Sequence, residues 1–132
     1  MTSFEFSNLD NALFKGLARK CNLLAIPLIL LGLYHLSHFV FPLLHMDSSS
    51  ILPRYFIIMA VVDIFGLVAA YFFLCASRSY VAIVKTQGAD IPLLIIGNEQ
   101  LRLALNCFCI TLFLYSARFA LGAIPLKSVL VN

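Results

Sequence analysis

Residues 55–76, YFIIMAVVDIFGLVAAYFFLCA, carry a single ionisable side chain, Asp63. As a helix rising about 1.5 Å per residue, this stretch spans roughly 33 Å, enough to cross a hydrocarbon core of about 30 Å. A carboxylate in such a segment costs a few kcal/mol on insertion scales, so Asp63 is expected to face other helices or a wet cavity rather than lipid.

The rest of the chain points the same way. Over 132 residues, 62% are hydrophobic, 11% are charged and the mean hydropathy is +1.00. So little polar surface cannot coat a soluble globule, and an all-α integral membrane protein with one membrane domain over residues 1–132 is expected. The formal charge of +3 sits in short segments between apolar runs, without a basic stripe interleaved with aromatics, which argues against nucleic-acid binding. Cys21, Cys75, Cys107 and Cys109 lack C-x-x-C spacing and read as buried free thiols packing as small hydrophobes.

Read in order, residues 1–20 predict a short amphipathic interfacial helix. Ser7 and Asp10 form a variant capping box, Leu9, Leu13, Phe14 and Leu17 supply the apolar positions, and Lys15, Arg19 and Lys20 fall elsewhere or at the end. Residues 22–44 form a first span, too long and too rich in histidine for a signal peptide. Residues 45–54 connect it to the second span, 55–76. The second helix then runs out of the membrane and stops at residues 86–90, where Gly88 permits a left-handed residue. The apolar run 91–96 is too short to cross and predicts an interfacial helical segment between spans 2 and 3, with Asp90 capping its start and Pro92 tolerated in the first turn. Residues 103–124 form the third span. Lys15, Arg19, Lys20, Arg78, Lys85 and Arg102 gather on one side, against Arg54 and Lys127 on the other. This excess predicts a cytoplasmic N-terminus and an outside C-terminus.

Depth along the spans brings the polar residues to one level. Counted from the outer ends, His35, Asp63 and Tyr115 lie about 12–13 Å deep, and His38 and Arg118 about 9 Å. His35, His38 and His45 share an arc of roughly 80° at about 100° per residue. Asp63 shares its face with Gly66 and Ala70, and Ala104, Cys107, Thr111, Tyr115, Arg118 and Gly122 form one stripe. A structural polar layer of His35, Asp63, Tyr115 and Arg118 follows, with Asp63 paired to Arg118 or hydrogen-bonded to His35 beside Tyr115. Two other chemistries stay open. His35, His38, Tyr115 and Arg118 suit a haem b iron or a quinone headgroup, and Asp63 with a histidine suits a proton or ion path.

An amphipathic N-terminal helix followed by three spans resembles the membrane anchor subunits of succinate dehydrogenase and fumarate reductase. That resemblance implies quinone and haem binding in an electron-transport complex of a bacterial inner membrane or an equivalent energy-transducing membrane. Those anchors place a haem-ligating histidine in the second span, where this chain has Asp63, so none of their residues is carried over. The stretch SRSYVAIVKTQGADIPLL followed by QLRLAL resembles a pattern of small bacterial three- and four-span proteins, which implies no activity. With no catalytic signature in the sequence, the expectation is a non-catalytic protein without a cofactor. It would contact the lipid bilayer and serve as an accessory subunit beside other integral membrane subunits, or self-associate.

Overall fold

The computed structural model describes Phe6 and residues 8–43, 53–85 and 90–123, with side-chain surroundings for 6, 9–38, 60–85 and 90–117. The described secondary structure is three helices: α1 (Asn8–Leu43), α2 (Pro53–Lys85) and α3 (Asp90–Ala123). Their 36, 33 and 34 residues correspond to about 54, 50 and 51 Å, each longer than a hydrocarbon core of about 30 Å. Each contains an apolar stretch able to cross a membrane, within Leu9–His38, Ala60–Lys85 and Asp90–Ala117. The fold is that of a multi-pass membrane protein.

The helix ends follow ordinary rules. Pro53 opens α2, where its missing N–H is one of the donors a helix leaves unpaired anyway. Asp10 and Asp90 sit in the first turns of α1 and α3, and Lys85 in the last turn of α2, each complementing the helix dipole. Ser7, the stop at 86–89 with Gly88, His45 and residues 46–52 lie outside the described residues, while Pro53 and Arg54 of the expected connection 45–54 already belong to α2.

Two expected elements take a different form. No separate N-terminal helix stands before the first span, because residues 8–20 are the opening turns of α1. Their contacts continue those of the span: Phe14 stacks on Tyr80 of α2 with ring centroids 6.1 Å apart, and Ala18, Cys21 and Ala25 form one buried face across the expected boundary. Likewise, residues 91–96 are not a separate interfacial segment but the start of α3. Pro92 falls in the first turn, where it breaks no hydrogen bond, and Gly97 packs against Tyr80 and Ser79 instead of interrupting the helix.

α2 is the central element. It packs along both α1 and α3, while the backbones of the outer two helices do not come into contact among the described residues. The seams are built from small residues that let helices approach closely. Ala18, Cys21 and Ala25 on α1 and Ala104 on α3 meet Ala70, Phe73, Ala76, Tyr80 and Ile83 of α2 in one core. Gly32 is the closest approach: a Cβ there would sit 2.8 Å from Leu67 Cδ2. Of the cysteines only Cys21 is buried; Cys75 and Cys107 are half-buried, Cys109 is exposed, and all four are free thiols.

Candidate functional site

One turn beyond Gly32, α1 presents His35 to the seam. Opposite it on α2 stands Asp63, one turn before the buried Gly66, and α3 supplies Tyr115 one turn beyond the buried Thr111. His35 Nδ1 lies 2.9 Å from Asp63 Oδ1. Tyr115 donates to the same oxygen at 3.0 Å, and its hydroxyl lies 2.8 Å from His35 Nδ1. Three atoms from three helices thus form a closed triangle. The side chain of Asp63 is 1% exposed and that of His35 is 19% exposed.

Proton placement in the triangle follows from its geometry. A carboxylate only accepts, so with Asp63 ionised both Tyr115 Oη–H and His35 Nδ1–H point at Oδ1. Two donors on one oxygen offset the burial of charge, and a protonated His35 would add an ion pair. Asp63 Oδ2 is buried without a hydrogen-bond partner. It belongs to the wall of a void of about 10 Å³, lined also by Leu28, Leu31, Gly32, Val62, Gly66, Thr111 and Tyr115. That is room for about one water molecule and none for a porphyrin or quinone ring between the helices. The Thr111 hydroxyl is already committed to its own helix, donating to Cys107 O at 2.9 Å.

The other candidates fall elsewhere. His38 is exposed and packs on Tyr34, ring centroids 4.5 Å apart, so it does not converge with His35 on the seam. Arg118 belongs to α3, but its side chain lies outside the described residues, as does His45. Among the described residues, no three His, Cys, Asp or Glu side chains come together as a metal-binding set. Asn106 is exposed to the outside of α3.

A second polar layer ties the opposite end of the bundle together. The buried Tyr80 of α2 donates to Asn98 Oδ1 at 2.8 Å, and Ser79 donates to Gln100 Oε1 at 3.0 Å, both on α3. Asp90, buried at the start of α3, accepts from the Phe6 backbone N–H at 2.9 Å, just before α1 begins. Beside it Phe6 leans on Phe14 in a tilted contact, and Phe14 stacks on Tyr80. Sequence reasoning missed this layer because it separated residues 91–96 from the third span. A continuous helical register from Asp90 brings Asn98 to the edge of the seam, within reach of Tyr80.

Compared with protein-family models, curated proteins and solved structures, the chain shows no significant match.

Proposed function

We propose that this protein is a non-catalytic accessory or structural subunit of a larger membrane complex. The observation carrying this reading is that, among the described residues, the backbones of α1 and α3 pack on α2 and not on each other. Their outer faces keep large apolar side chains exposed, among them Leu30, Leu33, Leu112 and Phe113. The titratable side chains of the interior serve to hold helices: Asp63 accepts from neighbours on both sides, and the void beside it among the described residues is about 10 Å³. Packing and helix orientation are the mechanism, in an energy-transducing membrane with the N-terminus on the cytoplasmic side. Photocrosslinkers placed at Leu30 and Phe113 in intact membranes test it. A discrete polypeptide adduct from either face supports the reading; adducts with lipid alone from both faces sink it.

A second reading is favoured by one observation, the buried and unpartnered Asp63 Oδ2 beside a water-sized void. A carboxyl group with one oxygen hydrogen-bonded to Tyr115 and the other facing a water can exchange a proton with that water, the first step of a proton path. Proton flux in liposomes that is unchanged by Asp63→Asn removes this reading.

A further inference from the structure

Away from both polar layers, α1 and α2 enclose an open cleft of about 410 Å³ lined by Asn22 of α1 and by Leu74, Ser77, Arg78, Val81, Ala82 and Lys85 of α2. Arg78 and Lys85 are two helical turns apart on one face. Among the described residues no carboxylate lies within ion-pair distance of Arg78 or Lys85; Asp63, the carboxylate beside His35, is near the other end of α2. Two uncompensated cations in one cleft favour an anion.

Depth tells which anion. If residues 55–76 fill the hydrocarbon core, Arg78 stands just past its edge, at the level of lipid phosphates, and Lys85 about 10 Å farther out. Below Arg78, toward the core, the same face continues with Leu74 and with Tyr71, which is 63% exposed. The cleft is therefore cationic on its outer side and apolar on its inner side, the polarity of a phospholipid and not of a free ion. The unpaired carbonyls at the end of α2 repel anions only within the last turn, which Lys85 occupies, and Arg78 lies two turns back.

We propose that this cleft binds an anionic phospholipid, its phosphodiester held by the Arg78 guanidinium with Lys85 above it and an acyl chain along Leu74 and Tyr71. A planar guanidinium can donate two parallel hydrogen bonds to one phosphate, which an ammonium cannot. Asn22 and Ser77 line the wall with neutral hydrogen-bonding groups.

Native mass spectrometry of the full chain, released from nanodiscs containing equal phosphatidylglycerol and phosphatidylcholine, reads this directly. Retained phosphatidylglycerol should exceed phosphatidylcholine, and Arg78→Gln and Lys85→Gln should each reduce the excess about fivefold. Arg102→Gln, which removes an exposed cation of α3 outside the cleft, should leave it unchanged; an equal loss there would reduce the effect to diffuse surface charge and overturn the site. Arg78→Lys keeps the charge and should recover only part of the excess. Displacement of phosphatidylglycerol by millimolar inorganic phosphate would show a free-anion site and overturn the assignment to lipid. Circular dichroism of each variant guards against loss of the helices.

Discussion

Tyr115 of α3 and His35 of α1 meet at 2.8 Å, although the backbones of their helices do not touch anywhere in the described residues. The contact is made over Asp63 of the intervening helix, so one carboxylate oxygen organises all three helices at once.

Removing one donor from that oxygen tests how tightly the triangle is coupled. Tyr115→Phe leaves a buried carboxylate short of a hydrogen bond and is expected to destabilise the fold by about 1–3 kcal/mol. In an Asp63→Asn background the same change should be milder, giving a coupling of about 0.5–3 kcal/mol. Reversible unfolding in mixed micelles measures the cycle, and strict additivity would contradict the triangle.

The seam between α1 and α2 depends on the missing side chain of Gly32. Gly32→Ala would put its Cβ 2.8 Å from Leu67 Cδ2, a contact that requires Leu67 to move. Overpacking of this kind costs about 1–3 kcal/mol, and Leu67→Ala in the same chain should recover part of it. Failure of the second change to help would mean the two helices meet with another rotation.

At the other end, Tyr80 combines burial with a hydrogen bond. Tyr80→Phe removes only the donor to Asn98 and should cost about 1 kcal/mol, whereas Tyr80→Ala opens the core and should cost about 3–5 kcal/mol. Thermal unfolding followed by circular dichroism should therefore rank the variants in that order with a wide gap.

Continuity of α1 has its own signature. Spin labels introduced one at a time over residues 9–20 should show oxygen accessibility that dips at Phe14 and Ala18, where α1 packs on α2, and whose mean over each turn shifts steadily with residue number, because the helix axis continues that of the span. A helix lying flat in the interface would instead oscillate with the helical period of about 3.6 residues about a constant mean.

Much of this arrangement is legible in the sequence, and the reason is geometric. Once three antiparallel spans are fixed, a constant helical rise sets depth, and depth alone puts His35, Asp63 and Tyr115 at one level. Small residues around Asp63 and along Ala104, Cys107 and Thr111 mark the faces that meet. What depth does not supply is rotation and continuity. His38 is only three residues from His35, yet it turns outward to Tyr34. Gly32 and Gly97 read in the sequence as ordinary glycines, and their partners Leu67 and Tyr80 are known only once the helices are docked. Continuity failed at residues 91–102, where Pro92, Gly97 and several polar side chains imitate a connection. Hydrogen bonds from Tyr80 to Asn98 and from Ser79 to Gln100 tie this stretch to α2, and such long-range compensation leaves no local mark.

The central place of α2 also permits an order of assembly. Among the described residues the backbone of α1 packs on α2, which precedes α3 in the chain, so the α1–α2 hairpin can close in the membrane while α3 is still being synthesised. Asp63 enters the bilayer with His35 already available as a partner, and the costly acid need never be exposed to lipid alone. Arrival of α3 then adds Tyr115 to a carboxylate that has been waiting half-satisfied, which makes the last helix the one that locks a hairpin already inserted.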